Sequence, residues 1–267
     1  PFLKSDECKR VQYRRLRQPV SLRRQQSDPR TFLSAQSRHP DAGTQVMEFS
    51  LAPADLEQYV MRLVAHHLPD GYLAQAEHAR LFARSLERVE HCFARIERKY
   101  YRRGTAVLFD HLNGDHMATL LYFFANTVWR QTGDAGLPTR LFYLNKILHG
   151  LDLFYSVALP DIFMLVHPVG TVLGHAHYQD YLVVYQNCTV GAVTDVYPRF
   201  GIGTILYSRT SVLGNCRLGD NVVLAANAMI VDLEVPPSTM VAGQYPAQRF
   251  SPNTRSVRSR CFDAPAG

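Results

Sequence analysis

Apolar and polar positions repeat every six residues between Phe200 and Val235. Each block of six opens on an apolar residue, and these are Phe200, Leu206, Val212, Leu218, Leu224 and Ile230. Four positions later stands a small or β-branched residue, namely Thr204, Thr210, Cys216, Val222 and Ala228, until Glu234 breaks the series. This period fits neither a helical turn of about 3.6 residues nor the alternation of a strand. It predicts a parallel β-helix in which three blocks form one triangular coil, whereas a chance run of sandwich strands would not be so self-similar.

The chain before this region has helical periodicity. Four helices are predicted, from Pro53 to about His67, from about Leu73 to Tyr100, from about His116 to Arg130 and from about Pro138 to Gly150. The third is apolar nearly all round, so we expect it to be buried, with Asp115 as its cap. From Leu151 the composition shifts to Val, Leu, Tyr and Gly. The sequence therefore predicts an α+β protein, with an α-helical domain at 47–150, a β-helix at 151–245 and a loosely ordered tail at 246–267.

The formal net charge of +6 lies entirely in residues 1–46, which hold ten Lys and Arg against four acidic residues. Residues 47–267 are balanced, with nineteen charges of each sign. We interpret the Gln-, Ser- and Arg-rich residues 1–46 as a disordered basic extension, with RNA or anion binding as the alternative. Met47 is the first methionine, and a start there would leave the extension outside the functional protein. The neutral remainder gives no reason to expect a nucleic-acid partner.

The cysteines and the hydropathy of the sequence indicate the cellular compartment in which the protein is expected. The five cysteines are odd in number and have no CxxC spacing, so neither a disulfide framework nor a zinc site is predicted. Cys188 and Cys216 occupy the small inward positions of the repeat, where a thiol acts as a small apolar group. No apolar run reaches the roughly 18 residues of a membrane span, and residues 1–46 lack the apolar core of a signal peptide. We therefore expect a cytoplasmic protein without a membrane segment.

Three motifs carry a resemblance to a known family. The segment VYQNCTVGA at 184–192 resembles LQSVTLGG of the serine O-acetyltransferases, and LGN at 213–215 followed by Leu218-Gly219 resembles their ILGNIEVG. The segment VPPSTMVAGQYPAQ at 235–248 resembles their VPPHTTAAGVPAR. The likeness covers about residues 110–250 and is clearest after 150. It implies a left-handed parallel β-helix that catalyses acetyl transfer from acetyl-CoA to a hydroxyl group.

The resemblance also implies two catalytic residues. The family's catalytic base is a His in a DHATG motif, which corresponds here to His167, and its orienting Asp stands fifteen residues earlier, at Asp152. A neutral imidazole can take the proton of a hydroxyl group as that group attacks a thioester. A carboxylate on the other ring nitrogen fixes the tautomer and stabilises the imidazolium.

Acetyl-CoA is expected in a groove between adjacent β-helices of a homotrimer, or of a dimer of trimers. The resemblance places the thioester near the backbone amides of Gly191 and Ala192, the pantetheine along Ser208, Ala225 and Ala226, and a phosphate near Arg249. No metal is expected, because His175 and His177 with His167 are a poor match to three imidazoles that converge on zinc.

The acceptor is less well defined, because this chain departs from the family pattern. The family's RHP motif, whose Arg and His hold the serine carboxylate, corresponds here to Val196-Tyr197-Pro198, and the Asp before the catalytic His is Val166. Arg199 could replace the missing cation. The residues before the third helix that could reach an acceptor amine are Asp110, His111, Asp115 and His116. Candidate acceptor-binding residues are therefore Asp110, His111, Tyr197 and Arg199.

Three functions remain open at this stage. The first is a serine O-acetyltransferase of cysteine biosynthesis, which transfers the acetyl group directly in a ternary complex. The second is an O-acetyltransferase that acts on a sugar or another hydroxy amino acid, and the third is a catalytically silent β-helix that serves as a scaffold.

Overall fold

The computed structural model describes residues 47–73 and 75–263, so the basic extension at 1–46 lies outside the described residues. Four helices come first, namely α1 (Pro53–His67), α2 (Glu77–Phe93), α3 (Gly114–Thr132) and α4 (Gly136–His149). A small sheet joins them, formed by β1 (Met47–Phe49), β2 (Arg102–Arg103) and β3 (Ala106–Phe109) in the order β1-β3-β2. Helix α3 packs against α2 and α4 and is buried over most of its length, as its sequence predicts.

Two helix ends differ from the prediction. Helix α2 ends at Phe93 rather than near Tyr100, because the following backbone makes tertiary contacts instead: Ile96 forms a β-bridge with Phe262. A 3₁₀ turn follows at Lys99–Tyr101. At α3 the cap is Asn113, not Asp115, since the Asn113 side chain accepts the backbone N–H of Asp115 at 3.0 Å. The Asp115 carboxylate is thereby left for another partner.

The second half of the chain is a three-sided parallel β-helix. Its first face contains β5 (Phe163–Leu165), β7 (Leu182–Val184), β10 (Thr204–Leu206), β13 (Val222–Leu224) and β16 (Thr239–Ala242). Its second face contains β4 (Asp152–Leu153), β6 (Val172–Leu173), β8 (Thr189–Gly191), β11 (Ser211–Leu213) and β14 (Met229–Val231). Its third face contains β9 (Arg199–Phe200), β12 (Arg217–Leu218) and β15 (Glu234–Val235). The predicted parallel β-helix is confirmed.

The strand register confirms the period of the repeat and corrects it at one point. Thr204 lies opposite Val222, eighteen residues later, as three blocks of six require. The residues that open the six blocks are at most 5% exposed, so they form the interior of the coil. Glu234, however, lies opposite Arg217 on the outer surface. The last coil is one residue shorter than the others, and Glu234 therefore does not interrupt the inward row.

Residues 249–263 are more ordered than the sequence suggests. Strand β17 (Arg249–Pro252) pairs antiparallel with β16, and helix α5 (Val257–Cys261) follows it. Cys261 and Phe262 are buried, so burial of apolar side chains holds the segment that was predicted to be loose. This segment closes one edge of the first face, which would otherwise expose unpaired backbone groups.

The described residues also show whether a helix could cross a membrane and where the cysteines lie. Among residues 47–73 and 75–263, no helix has the length and apolar character needed to cross a membrane. Four of the cysteines, Cys92, Cys188, Cys216 and Cys261, are buried free thiols. The inward location predicted for Cys188 and Cys216 is confirmed.

Candidate active site

His167 lies at the corner between the first and second faces of the β-helix, in the turn that joins β5 to β6. Its backbone has a φ of 48°, in the left-handed region that few non-glycine residues adopt. The nearby Gly170, at φ 73°, leaves room for the Asn187 side chain, which any Cβ at that position would meet. This tight turn therefore projects the His167 side chain outward, and 76% of that side chain is exposed.

Asp115 at the start of α3 holds this turn. Its Oδ1 accepts the backbone N–H of His167 at 2.9 Å and lies 4.0 Å from the His167 Nδ1 atom. The Asp115 side chain is only 18% exposed, so its carboxylate is largely shielded from solvent whereas the imidazole is not. The Asn113 cap fixes the first turn of α3, and through it the position of the carboxylate.

Burial raises the pKa of the Asp115 carboxyl, and the N–H and imidazole of His167 oppose that rise only in part. A carboxylate that has lost part of its hydration gains from any cation that approaches it. Asp115 is therefore suited to stabilise a protonated His167 or an ammonium group of a bound molecule.

The His167–Asp115 pair lies at the junction of a cleft with two lobes. The first lobe, of about 430 Å³, is lined by residues 97–101, Asp115, Met164, Val166, His167 and Tyr185. The second lobe, of about 480 Å³, is lined by Tyr100, Asn113, Gly114, Asp115, Leu148, His149, His167, Pro168 and Val169. Tyr100, Asp115 and His167 belong to both. Each lobe is large enough for a small molecule.

The predicted orienting residue Asp152 has another partner. Its Oδ2 accepts a hydrogen bond from Lys146 Nζ at 2.8 Å, and its side chain is 39% exposed. Within the described part of the chain, no hydrogen bond or ion pair joins Asp152 to His167. The spacing of fifteen residues places Asp152 at the start of β4, close to the turn that carries His167, but Lys146 in the last turn of α4 occupies its carboxylate.

The residues predicted to contact acetyl-CoA fall at two corners. Successive turns of the His167 corner are joined by backbone hydrogen bonds, from Arg209 to Gln186 and from Asn227 to Ser208. The predicted residues at this corner are Ser208, Ala225 and Ala226, and Arg249 pairs with Ala242 at its far end. Gly191 and Ala192 lie at the next corner, between the second and third faces. The structure therefore brings four of the six residues predicted to contact acetyl-CoA to the same corner as His167.

Tyr197 and Arg199 also lie away from His167, near Gly191 and Ala192. The Tyr197 ring meets the His175 ring edge-on at 6.3 Å, and Arg199 pairs with His177 through a backbone bridge. All four side chains are exposed. Within a single chain, these residues and His167 lie at opposite edges of the second face.

Asp110 and His111 do not line the cleft. Asp110 Oδ1 accepts the backbone N–H of Leu112 at 3.0 Å, and His111 Nδ1 lies 2.8 Å from Ser50 Oγ. His111 faces a separate cavity beside α1. His116 is fully buried, and its Nδ1 accepts the Asp110 N–H at 3.0 Å, so it cannot reach an acceptor amine.

Sequence reasoning missed the wall of the first lobe and one histidine of the second. Arg98, Lys99 and Tyr100 fall within the long second helix that the sequence predicts, whereas α2 ends before them and the chain turns toward His167. Their basic and aromatic side chains were the sequence signal that could have indicated a wall of a binding site. In the second lobe, burial lowers the pKa of His149 to about 4, and its Nδ1 lies 2.8 Å from Asn145 Oδ1. His149 is therefore a neutral wall of the cleft.

The donors of the described residues do not form a metal site: no group of three or more His, Cys, Asp or Glu side chains is placed there to hold a metal ion.

These observations define a class, the parallel β-helix proteins with an N-terminal helical region, and comparison with known proteins narrows it. No family model matches the chain. It is 28% identical over 138 residues to serine acetyltransferase 4 of Arabidopsis thaliana. The aligned region covers 50% of this chain and 38% of that protein. The serine acetyltransferase structure from Vibrio cholerae O1 biovar El Tor N16961 superposes with a TM-score of 0.56 at 24% identity, over 68% of this chain and 72% of that one. A serine acetyltransferase in complex with coenzyme A from Brucella abortus strain S19 has a TM-score of 0.52 at 18% identity, over 76% of each chain.

The chain spans about half or less of the length of the curated relatives that it matches. The structural likeness establishes the fold, and the matched relatives are serine acetyltransferases. The resemblance to the serine O-acetyltransferase family drawn from the sequence motifs is confirmed.

Proposed function

We propose that the protein is an acetyl-CoA-dependent O-acetyltransferase whose acceptor is L-serine. The observation that carries the proposal is the pairing of an exposed imidazole, His167, with a half-buried carboxylate, Asp115, at the junction of a two-lobed cleft. The motifs shared with serine acetyltransferases and the relatives named above support the same activity. The identity of the thiol carrier is supported by the coenzyme A complex of the Brucella structural neighbour.

The reaction is a direct transfer. The acceptor hydroxyl oxygen attacks the carbonyl carbon of the thioester while His167 takes the hydroxyl proton. The tetrahedral intermediate then collapses, the C–S bond breaks, and the imidazolium returns the proton to the departing thiolate. The products are the O-acetyl ester and free coenzyme A, so protons and electrons balance without a further reactant.

Two carboxylates are candidates for supporting His167. Asp115 holds the His167 backbone N–H and lies 4.0 Å from Nδ1, so a small rotation of the ring would bring the two into hydrogen-bond distance. Asp152 is the candidate from sequence spacing, and it would first have to release Lys146. We propose Asp115 as the main positioning residue, with Asp152 as the alternative that the experiment below distinguishes.

Acetyl-CoA is proposed to lie along the His167 corner. Ser208, Ala225 and Ala226 are small enough to let the pantetheine approach the backbone, and exposed Arg249 at the far end would meet a phosphate. Gly191 and Ala192, with Tyr197 and Arg199, would complete the site from the neighbouring copy of a trimer. The buried free thiols support a reducing compartment such as the cytoplasm.

The test is an assay of coenzyme A release from acetyl-CoA with L-serine as the acceptor. His167→Ala is expected to lower kcat about 10²- to 10⁴-fold, since a positioned base contributes that much. The matched control is His66→Ala, an exposed histidine of α1 outside the cleft, which should keep full activity. Near-normal turnover by His167→Ala would show that this mechanism is wrong.

Asp115→Asn and Asp152→Asn separate the two supporting carboxylates. If Asp115 positions His167, Asp115→Asn should lose most of kcat and Asp152→Asn little. The reverse order would assign the role to Asp152. Measuring kcat against pH for both variants adds a second readout, because a variant that is only less stable would not change the pH dependence of kcat.

A sugar O-acetyltransferase is the second candidate. It is favoured by Val196 and Tyr197, which stand where the resembling family carries the Arg and His that hold the serine carboxylate. Turnover on sugars but not on L-serine would select it. Lack of turnover on every acceptor would instead favour a scaffold role.

A further inference from the structure

The first lobe of the cleft has a cationic wall that no sequence motif indicated. Two exposed cations, Arg98 and Lys99, line it together with Asp115 and His167. We infer that Lys99, supported by Arg98, forms a binding subsite for the carboxylate of the acceptor, so that the acceptor is a hydroxy amino acid and not a neutral sugar. This inference rests on the proposed O-acetyl transfer to L-serine and adds the residues that would select a hydroxy amino acid over a neutral sugar.

The positive charge of this wall is not neutralised by neighbouring residues. Glu97 is the adjacent acid, but its Oε1 is bound by Arg102 at 3.0 Å, and Arg102 also donates to two backbone carbonyls at the end of α2. Among the described residues, no carboxylate pairs with Arg98 or Lys99. The Lys99 ammonium group lies 4.7 Å from the centre of the Tyr100 ring, in a cation–π contact. The lobe therefore presents two cations to a bound molecule.

One contact orients the Arg98 side chain, which is otherwise exposed. Its Nη2 donates to Cys261 Sγ at 3.0 Å, which leaves the other N–H groups of the guanidinium for a ligand. The backbone beside it is also fixed, because Glu97 N–H donates to the Cys261 carbonyl at 3.0 Å. A cation that is already positioned loses less entropy on binding a carboxylate.

The three kinds of group in the lobe match the three groups of a hydroxy amino acid. Asp115 faces His167 through Oδ1, which leaves Oδ2 for the ammonium group, and Lys99 with Arg98 suits the carboxylate. His167, which lines the same lobe, suits the hydroxyl group. A sugar hydroxyl would leave two cations without an anionic partner, and a site built for an ionic partner selects against molecules that lack it.

The phosphates of coenzyme A are the other possible anions. The row of small residues at the His167 corner leads away from His167 toward Arg249, so a thioester at His167 places the nucleotide at that distant end. The pantetheine arm keeps the phosphates well away from the reacting carbonyl. The acceptor carboxylate is therefore the anion that Lys99 would meet.

The experiment compares L-serine with serinol, in which a hydroxymethyl group replaces the carboxylate. In the unaltered protein, kcat/KM for L-serine should exceed that for serinol by at least about tenfold, the loss of one charge-assisted contact. Lys99→Gln should raise the KM for L-serine about tenfold and leave the kcat within about twofold. It should leave the constants for serinol and the KM for acetyl-CoA unchanged.

Two variants serve as controls. Lys99→Arg keeps the charge and should restore the KM for L-serine. Arg103→Gln removes a cation from the same segment but outside the cleft, where Arg103 is 66% exposed and 3.5 Å from Glu48, and it should change nothing.

The outcomes are distinct. Equal kcat/KM for L-serine and serinol in the unaltered protein would overturn the inference while leaving acetyl transfer established. A rise in the KM for acetyl-CoA in Lys99→Gln would overturn it in favour of a coenzyme A phosphate. Absence of transfer to every acceptor would mean that the proposed function itself has failed.

Discussion

At the scale of single residues, the buried His116 makes the stability of the fold depend on pH. Its ring is fully buried and lies 4.5 Å from the Tyr101 ring and 4.9 Å from the Phe93 ring. Burial lowers the pKa of His116 to about 4, although Asp110 acts in the opposite direction. Its Nδ1 accepts the Asp110 N–H, so the neutral form is the one that the fold stabilises.

A fall in stability at acid pH is therefore expected. The unfolded chain takes up a proton on His116 near pH 6.5 and the folded chain only near pH 4, so stability is full above 6.5 and is lost as the pH falls between those values. This one histidine should give a slope of up to about 1.4 kcal/mol per pH unit. His149, whose pKa burial also lowers to about 4, adds a similar slope over the same range. His116→Asn, which keeps an acceptor but cannot ionise, should therefore reduce the total slope by the His116 share in urea unfolding measured from about pH 4 to 7. The same slope in His116→Asn as in the unaltered protein would refute this origin, and exposed His66→Asn is the control.

His167 and its two candidate partners show what a sequence can indicate about individual residues. His167 could be chosen because it lies in a recognisable motif, and its location at a corner of the coil agrees with that choice. The partnership of His167 with Asp115 spans 52 residues and depends on how α3 packs against the β-helix, which no local pattern contains. Asp152 illustrates the converse, because correct spacing did not exclude a competing contact with Lys146.

At the scale of structural elements, the inward rows of the coil should carry most of the stability of the β-helix. Ile230 is fully buried at the start of a block, whereas Ile202 in a turn is 50% exposed. Ile230→Ala should lower the free energy of unfolding by about 2–5 kcal/mol, since it removes buried methyl groups and leaves a cavity. Ile202→Ala is the matched control and should cost less than about 0.5 kcal/mol. Similar losses in the two variants, measured by urea denaturation, would contradict the assignment of the interior.

Elements with a strong sequence period were largely predictable, whereas elements whose ends are set by tertiary contacts were less so. The hexapeptide period predicted the coil and its buried rows, because each coil buries the same positions. The one-residue shortening before Glu234 was not visible, since a shorter turn leaves the apolar pattern intact. Helix α2 was predicted to be too long because its charged continuation has helical propensity, while pairing of Ile96 with Phe262 overrides it.

At the scale of the whole molecule, the C-terminal segment joins the β-helix to the wall of the cleft. The Phe262 ring packs against the Tyr181 ring on the first face, at 5.3 Å, and its backbone pairs with Ile96. Asp263 N–H donates to the Arg95 carbonyl at 2.9 Å. The residues that follow Ile96 line the first lobe, so the position of the cationic wall depends on a segment more than 150 residues away in sequence.

Removing the Phe262 ring should therefore affect both stability and the proposed acceptor site. Phe262 is 2% exposed, and Phe262→Ala should lower the free energy of unfolding by about 3–5 kcal/mol. The freed segment at 95–101 should become more sensitive to limited proteolysis, and the KM for L-serine should rise while the KM for acetyl-CoA stays near its original value. Phe250→Ala is the matched control, because Phe250 in β17 is 48% exposed. If the two variants had the same KM for L-serine at a temperature where both are folded, the C-terminal segment would only stabilise the β-helix and would not position the cleft wall.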